Sequence, residues 1–455
     1  MSYFFGVAIY VITAFGAKGD GKTMNTQAIQ RAVDKAAAAG GGVVEVPSGH
    51  FLTGVITLRS GVELHLAADA VLLGSTRRSD YGGSTCSALF VADGQQHIAI
   101  TGSGTIDGQG RAVVEDVFRM LKAGTLQDPE WQKENPWHQK RPIERNRPGI
   151  IDFIHCTDVR VDSVSIKDAA CWVQTYTECE RLQLTNLHVE STAYWNNDGI
   201  DVVDCKDVRI TECEVNADDD GICLKSSNPA SRCEDVLIRN CSIRSSASGI
   251  KFGTASYGGF KNITVKDILI RDTYRSAVAL ECVDGGAMEN VLVENVGAVN
   301  TGNALFIRLG HRNQKLPPGS IRHVTIRNLT VEVPAGKPDK GYEMEGPELG
   351  FVHNSFPASI VGIPGHPVED VVLDGVNIVY RGAEHKRLDS LAGVVPENET
   401  GYPEFSMFGE LPAWGLYVRH VDGLQLRQVV LHHPQPSFRQ MIVYDDVKQL
   451  SGKPQ

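Results

Sequence analysis

Three aspartates are the residues of this sequence whose type and spacing could do chemistry. Asp198 lies within residues 196–201, which read NNDGID, and Asp219 and Asp220 lie within residues 218–221, which read DDDG. Crowding of like charges raises the pKa of one carboxyl group and leaves another ionised. A protonated and an ionised carboxyl group in one site can act as general acid and general base.

Turn formation and calcium binding are two alternative roles for these acidic segments. Asp and Gly favour turns, so residues 218–221 could be a turn and nothing more. Oxygen-rich clusters at turns also bind calcium. Asp219 follows Asp198 by 21 positions, which is close to one coil of a solenoid. Catalysis is favoured if the chain is coiled with that period, because the two segments would then lie side by side on one wall.

A repeated phrase indicates such a coil. It consists of a polar residue followed by aliphatic-x-aliphatic, and successive phrases from Val159 to Val291 are 23 to 28 residues apart. One coil cannot bury its own aliphatic side chains, but coils stacked about 4.8 Å apart build a continuous core. The pattern therefore predicts an all-β fold, a parallel β-helix or β-solenoid. The ten phrases begin at His97, Asp158, Arg181, Asp207, Asp235, Asn262, Asn290, His323, Asp370 and Gly423.

The N-terminal part of the chain predicts one α-helix ahead of these strands. Apolar residues recur at helical spacing from Ile29 to Ala36, Asn25 or Thr26 can cap the start, and Gly40–Gly42 ends the helix. One helix followed only by strands suggests a cap over the end of the β-stack.

The ten cysteines predict neither zinc nor disulfides. No C-x-x-C pair occurs, so a structural zinc site is not expected. Cys156, Cys179, Cys205 and Cys233 each precede the first aliphatic residue of a phrase by two or three positions. This placement favours an inward ladder of free thiols that pack as small apolar groups, ranked above disulfide pairing.

The longer intervals between phrases locate loops with aromatic and basic residues, which predict functional walls or lids. The alternative is that the tryptophans seal the ends of the stack. The loop residues are Trp131, Trp137, His138, Arg141, Arg145 and Arg147, then 341–346 and 351–354, and finally 402–404 and 407–412.

Composition excludes several classes of partner. The net charge of −11 argues against nucleic acid and against an anionic membrane surface. No apolar run approaches the roughly 18 residues of a membrane span. Residues 1–10 are apolar but lack a basic start and a cleavage site, so they predict a first strand or a trimmed remnant instead of a signal peptide.

Several motifs together resemble those of glycoside hydrolase family 28, the polygalacturonase-like enzymes. Residues 196–201 resemble the family's N-T-D-G-x-D, with Asn197 in the place of threonine, and residues 219–226 resemble its paired-Asp motif. The N-terminal signatures are similar at residues 15–21, 40–47 and 104–110.

The resemblance implies one right-handed parallel β-helix over residues 1–455, with long loops that form the cleft. Residues 11–60 would form the cap and first coils, 61–331 the main coils with the cleft, and 332–455 the C-terminal coils. Asp219 would be the general acid, while Asp198 and Asp220 would activate water for inversion at a carboxyl separation of roughly 6.5–9.5 Å. No metal or cofactor is expected, the partner would be an oligo- or polysaccharide, and the location would be secreted or periplasmic.

Two positions depart from the family pattern. The family's G-H-G motif falls on Ala247–Gly249, so that its histidine is Ser248, and its R-I-K motif, which grips a galacturonate carboxylate, falls on Ala279–Glu281. An anion at Glu281 would oppose a uronate, so a neutral or deoxy sugar such as galactose or rhamnose is expected at the cleaved position. The candidate substrate-binding residues are Asn196, Lys225, Ser248, Lys251, Glu281, Arg308, His311 and Arg312, with Arg275 as a further cation.

If a uronate is bound after all, Arg308–Arg312, predicted to lie in a loop, is the first candidate to hold it. For each cation taken alone, a surface ion pair with a nearby acid accounts for the residue about equally well.

The sequence thus predicts an inverting glycoside hydrolase of pectin-type or related plant polysaccharide, not a plain polygalacturonase, with exo action as one option. A β-elimination lyase of the same fold and a non-catalytic carbohydrate-binding β-helix are the alternatives. Oligomeric state stays open.

Overall fold

The computed structural model describes residues 8–135, 139–347, 356–382, 395–434 and 437–454. The chain divides into two compact units, the first formed by residues 1–201 and 207–218, the second by residues 202–206 and 219–455. Trp137, His138 and residues 351–354, which the sequence predicts to line the loops, lie outside the described residues.

Short strands fill the first unit, and two of them, Ile200–Val203 and Lys206–Thr211, include residues of the segment 202–206 that belongs to the second unit. The strands are β1 (Ile9–Val11), β2 (Asp20–Met24), β3 (Gly42–Val46), β4 (Gly49–Thr53), β5 (Ile56–Thr57), β6 (Val62–Leu66), β7 (Ala70–Gly74), β8 (Phe90–Asp93), β9 (Gln96–Gly102), β10 (Thr105–Asp107), β11 (Ile151–Ile154), β12 (Thr157–Asp162), β13 (Ser165–Lys167), β14 (Gln174–Thr177), β15 (Glu180–Thr185), β16 (His188–Ser191), β17 (Ile200–Val203), β18 (Lys206–Thr211) and β19 (Glu214–Ala217).

These strands pair in parallel with every third strand along the chain, as the coils of a parallel β-helix require. One ladder runs β3–β6–β9–β12–β15, a second runs β4–β7–β10–β13–β16–β19, and a third runs β5–β8–β11–β14. The register keeps like residues together, since Val159 lies between Ile98 and Leu182. All three side chains are at most 1% exposed. The stacked aliphatic core predicted from the phrases is therefore confirmed.

The second unit continues the same architecture with longer strands. They are β20 (Ile222–Ser226), β21 (Cys233–Ser245), β22 (Ile250–Ser256), β23 (Gly259–Cys282), β24 (Ala287–Leu309), β25 (Ser320–Val333), β26 (Ala358–Val361), β27 (Val368–Tyr380), β28 (Ala413–Arg427), β29 (Val430–His432) and β30 (Gln440–Ser451). Parallel pairing runs β21–β23–β24–β25–β27–β28–β30, and a separate ladder runs β20–β22–β23–β24–β26–β28. The chain is thus an all-β protein, and both units are built from coils of a right-handed parallel β-helix.

Each coil turns its corner at a residue in the left-handed region. The first residue of all ten phrases has φ between 50° and 85°, and the residue five positions later has φ between 48° and 104°. Asn, Asp and Gly adopt this conformation at low cost, which explains the polar residue ahead of each aliphatic pair. Side chains at the corners also stack, since Asn262 donates to Asp235 over 3.0 Å and accepts from Asn290 over 3.1 Å.

The helix predicted at the N-terminus is confirmed as α1 (Thr26–Ala38), with Ile29, Ala32, Val33 and Ala36 buried. The capping detail differs, because the Asn25 side chain makes no hydrogen bond to the helix. Its amide group bonds instead with the backbone of Lys18, Thr23 and Leu52, which ties the helix start to the first coils.

A second helix, α2 (Gly110–Lys122), was not predicted. Its buried residues Val113, Val114, Val117 and Leu121 have helical spacing, so the sequence between the first two phrases did contain a periodicity that indicates a helix. Three short 3₁₀ turns complete the helical segments of the described chain, at Ile12–Phe15, Arg78–Tyr81 and Glu144–Asn146. No described helix has both the length and the apolar character needed to cross a membrane.

The cysteines are free thiols, as predicted, and all but Cys86 are buried. Within the first unit, Cys156 and Cys179 directly precede the paired residues Thr157 and Glu180, so they occupy equivalent corners of neighbouring coils. Burial raises the pKa of the Cys233 thiol to about 12, in keeping with a packing role.

Replacement of a corner asparagine tests the left-handed requirement. We expect Asn262→Ala to lower the free energy of unfolding by about 1–2 kcal/mol, because alanine keeps the Cβ that disfavours positive φ and lacks the polar side chain by which asparagine offsets that cost. Asn262→Gly should cost less, since glycine tolerates the conformation and loses only exposed side-chain hydrogen bonds. Chemical denaturation of both variants measures the difference, and equal losses for Ala and Gly would contradict the role of the backbone conformation.

Candidate active site

In the first unit, two arginines hold the segment that carries Asp198. The buried Arg147 guanidinium donates to the Trp195 carbonyl over 2.7 Å and to Asn196 Oδ1 over 2.7 Å, and Arg141 also donates to Asn196 Oδ1. Asn196 itself has φ of 61°. This residue, predicted to bind substrate, is therefore bonded into the wall through its side-chain oxygen.

Asn197, which replaces the threonine of the family motif, is a fully buried anchor. Its Oδ1 accepts from Ser191 Oγ over 2.6 Å, its Nδ2 donates to the Cys171 carbonyl over 3.3 Å, and its backbone N–H donates to the Asp218 carbonyl over 3.3 Å. The next residue, Asp198, is 4% exposed, and its carbonyl accepts from Val173. That Asp198 shares a cleft with Asp219 and Asp220 stays a prediction of the 21-residue spacing.

In the second unit, Asp219 and Asp220 precede β20 at a close approach of two chain segments. A Cβ added at Gly221 would lie 2.4 Å from Ile243 and 2.7 Å from the Gly249 carbonyl oxygen, so only glycine fits after the aspartates. The Gly221 N–H donates to the Ser248 carbonyl over 2.8 Å. The acidic segment is therefore a turn in which Gly221 allows the residues around Ile243 and Gly249 to approach closely.

Asp220 forms a buried ion pair with Lys251. Lys251 Nζ lies 2.9 Å from Asp220 Oδ2, and both side chains are at most 4% exposed. Burial opposes ionisation of Asp220, but Lys251, Arg275 and Lys225 outweigh it and hold the pKa of Asp220 below its ordinary value. Burial likewise opposes the charge on Lys251, yet Asp220 holds the pKa of Lys251 well above its ordinary value. Asp220 is therefore an ionised carboxylate, as a base must be.

Asp219 has a different environment from its neighbour. It is partly exposed, its Oδ1 accepts from the Asp220 N–H over 2.9 Å, and its carbonyl accepts from Ser245 Oγ. Its side chain is thus positioned by short-range bonds while keeping access to solvent.

Glu281 is buried in the same cluster, with 2% exposure. Its Oε2 is buried and has no hydrogen-bond partner among the described residues. Burial raises the pKa of Glu281 to about 8, although the Lys251 charge opposes the rise and the Asp220 charge adds to it. A Cβ at Gly253 would lie 3.2 Å from Glu281 Cβ, so this glycine makes room for the side chain.

The loop before β28 adds aromatic and charged groups that the predicted site lacked. The hydroxyl of Tyr402, a residue that is 40% exposed, lies 3.4 Å from Lys251 Nζ. The ring centre of Tyr402 lies 6.0 Å from the Arg275 guanidinium, whose Nε is 3.8 Å from Glu404 Oε2. Local sequence marked this loop as aromatic but held no signal for these contacts, because Tyr402 is 151 positions from Lys251.

The predicted uronate-binding cations at residues 308–312 are bonded within the fold. Arg308 lies in β24, not in a loop as predicted, and its fully buried guanidinium donates to the carbonyls of Gly362, Glu397 and Asn398 over 2.9–3.1 Å. His311 Nε2 bonds with the Leu316 carbonyl. The Arg312 side chain binds Asp284 through two nitrogens, at 2.9 and 2.7 Å.

The remaining predicted ligands lie close to Asp220 in different ways. Ser248, at the position of the family histidine, is 1% exposed and supports Asp220 through its backbone N–H over 3.2 Å. Lys225 lies in β20 and is one of the cations that lower the pKa of Asp220. Ala279 is the register partner of Lys251 on the neighbouring strand. Lys225, Lys251 and Glu281 thus gather around Asp220, whereas Ser248 is covered.

The chain is therefore a parallel β-helix whose turn before β20 carries two adjacent aspartates. The family model for glycosyl hydrolases family 28 matches residues 40–344, and the chain belongs to that family. A second model, rhamnogalacturonase A/epimerase, pectate lyase-like, matches residues 9–68. The chain is accordingly a glycoside hydrolase.

Individual relatives are distant. A probable polygalacturonase of Vitis vinifera is 24% identical over 407 residues, covering 85% of this chain and 72% of that protein. An exo-poly-alpha-D-galacturonosidase of Dickeya chrysanthemi is 23% identical over 378 residues, covering 71% of this chain and 62% of that protein. Among solved structures, an exopolygalacturonase from Thermotoga maritima has a TM-score of 0.63 at 24% identity, covering 83% of this chain and 88% of that chain. The family 28 exopolygalacturonase of Yersinia enterocolitica has a TM-score of 0.64 at 16% identity, and the match covers 98% of this chain and 78% of that chain. These structural likenesses show the fold.

Replacement of Glu281 should change how stability depends on pH. Because the pKa of Glu281 is about 8 in the folded chain and 4.5 ordinarily, the folded state holds a proton that the unfolded chain releases. Stability from this group is therefore lost as pH rises from about 4.5 through 8. We expect the Tm of Glu281→Gln, relative to wild type, to increase between pH 5 and pH 8.5. A constant Tm difference across that range would show that Glu281 is not held protonated.

Proposed function

We propose that this protein is an inverting, exo-acting hydrolase of pectin-type polysaccharide or its oligosaccharides. Asp219 protonates the glycosidic oxygen, while Asp198 and Asp220 position and deprotonate the attacking water. Family membership supports the reaction type, and the names of its relatives, polygalacturonase and exo-poly-alpha-D-galacturonosidase, support the substrate class.

The contrast between Asp219 and Asp220 carries this proposal. Two adjacent carboxyl groups would ordinarily behave alike, but here Asp220 is buried against Lys251 and stays ionised, while Asp219 is partly exposed. Hydrolysis with inversion needs one group that donates a proton and another that accepts one. Lys251 accounts for the ionised state of Asp220, which supports its role as the group that accepts a proton.

Exo action is supported by the loop that covers one side of the same sheet. Residues Lys251, Ala279, Phe306, Ser359 and Tyr417 lie at equivalent positions on successive strands β22, β23, β24, β26 and β28. The whole row is buried, with Lys251 3% exposed and the other four residues 1% exposed, and the loop before β28 packs over its far end. The cover is a cluster that joins Phe306 and Tyr417 to the loop residues Phe408 and Leu411. Because these loop side chains pack over the row at Phe306 and Tyr417, a sugar chain would end before them, which supports exo action.

Removal of the acid is the direct test. We expect Asp219→Asn to lower kcat on pectic oligosaccharides by at least about 10²-fold, the lower range for general acid catalysis, with Tm unchanged. New reducing ends measure turnover, ultraviolet absorbance detects unsaturated products, and NMR of the first product gives its anomeric configuration. Reducing ends of inverted configuration, released singly from chain ends, are expected.

Asp207→Asn is the matched control, because Asp207 lies at a coil corner with φ of 50° that asparagine tolerates. It should keep wild-type rates. Unsaturated products would show elimination in place of hydrolysis, and wild-type turnover by Asp219→Asn would remove Asp219 as the acid. No product from a broad panel of pectic oligosaccharides would instead favour a carbohydrate-binding protein.

A further inference from the structure

We propose that a cavity in the first unit is a second, non-catalytic binding site, which takes the carboxylate and hydroxyl groups of a uronide chain. The inference rests on the proposed function for the source of this ligand, a pectin-type polysaccharide. The cavity has a volume of about 820 Å³. This volume lies within the range of about 300–1,000 Å³ that is usual for ligand sites. None of its described lining residues belongs to the proposed catalytic group.

Three segments of the chain line this cavity. They lie within residues 79–85 and 120–127 and at Arg145. The first and the last segment are joined directly, because the Cys86 backbone N–H donates to the Arg145 carbonyl over 2.9 Å. The main chain of Arg145 is therefore fixed, while its side chain is left to face a ligand.

The buried Arg78 holds the walls of the cavity together. Its backbone N–H donates to Asp116 Oδ2 in α2 over 2.8 Å, and its Nε donates to the Asn146 carbonyl over 2.9 Å. Its two terminal nitrogens donate to the carbonyls of Gly82 and Gly83 over 2.7 and 2.9 Å. Since Arg78 is 0% exposed, these bonds are shielded from water. The loop, the helix and the segment before β11 are thus fixed around one guanidinium.

The same bonds leave hydrogen-bond donors along the cavity. The carbonyls of Gly82 and Gly83 point to Arg78, and the C=O and N–H groups of a trans peptide point in opposite directions. The N–H groups of Gly83 and Ser84 therefore point away from Arg78, and neither has an acceptor among the described residues. The hydroxyl groups of Ser84 and Thr85 also have no partner there. Successive N–H groups in a turn form concave sites for anions.

Arg145 supplies a positive charge to these donors. Arg141 and Arg147 of the same loop donate to Asn196, whereas the exposed Arg145 side chain has no hydrogen bond or ion pair among the described residues. Within the described chain, no acidic side chain lines the cavity. A guanidinium binds a carboxylate through two parallel hydrogen bonds. In a chain of net charge −11, a cavity with a cation and no acid favours an anionic ligand.

The remaining wall is apolar and suits a sugar ring better than a small anion. Leu126 packs in a cluster with Val117 and Leu121 of α2, and Met120 packs against the same cluster. Both Met120 and Leu126 line the cavity. Ligand sites commonly combine such apolar surface with a few placed polar groups. A phosphate or acetate ion would use only the donors, whereas a uronide would also use the apolar wall.

Calorimetry of the Asp219→Asn variant with trigalacturonate tests the inference, because slowed turnover leaves the ligand intact. In this background, Arg145→Gln should weaken binding at one class of sites at least about tenfold, since it removes the charge that holds the carboxylate. Gln127→Glu, which adds a carboxylate of the same shape to the wall, should weaken the same class. Arg271→Gln is the matched control, an exposed arginine of β23 without an ion pair among the described residues, and should change nothing.

Hydrogen exchange shows where the ligand binds, and small anions show what is recognised. Trigalacturonate should slow amide exchange in residues 82–85, and Arg145→Gln should abolish this protection. Inorganic phosphate and acetate should bind at least about tenfold more weakly than trigalacturonate, since they lack the sugar ring. Binding and protection retained in both cavity variants, an equal loss in Arg271→Gln, or phosphate bound as tightly as trigalacturonate would overturn the inference.

The outcome is distinguishable from that of the proposed function. Protection of residues 82–85 that depends on Arg145, with no hydrolysis of pectic oligosaccharides by wild type, would support the second site and contradict the proposed reaction. Hydrolysis by wild type, with trigalacturonate binding that Arg145→Gln leaves unchanged, would support the reaction and remove the second site.

Discussion

The in-register stacking of coils is the constraint on which this protein depends. Each coil buries its aliphatic residues only against the coils above and below, so every corner must turn at the same place. The left-handed residue that opens each phrase, and the second one five positions later, impose this regularity. Because the corners repeat, a side chain's place on a wall follows from its distance to the nearest corner.

The second unit buries charged side chains. Asp220 and Lys251 are both almost entirely removed from solvent and keep their charges because they face each other at 2.9 Å. Among the described residues Glu281 has no such partner, and burial instead keeps it neutral. Two carboxyl groups of similar intrinsic acidity thus take opposite protonation states within one cluster. The position of a single ammonium group produces this difference.

The loop before β28 links the covered sheet face to this cluster. At one end its carbonyls at Glu397 and Asn398 accept from the buried Arg308, whose guanidinium lies 5.0 Å from the Phe408 ring centre. Further along it brings Tyr402 to Lys251. Arg308 was expected to bind substrate, but it is buried because it holds the loop through these carbonyls.

The sequence by itself determined the repeating fold, the N-terminal helix, the buried thiols and the acidic turn before β20. These features depend on local spacing and on residues that pack against copies of their own pattern. Only the tertiary structure decided that Arg308 faces loop carbonyls and that Tyr402 and Glu404 reach Lys251 and Arg275. It also decided that Glu281 Oε2 has no hydrogen-bond partner among the described residues. Such contacts join residues far apart in the chain through loops of irregular length, and no periodic signal records them. Even the paired aspartates look alike in sequence, and only burial and Lys251 made them chemically different.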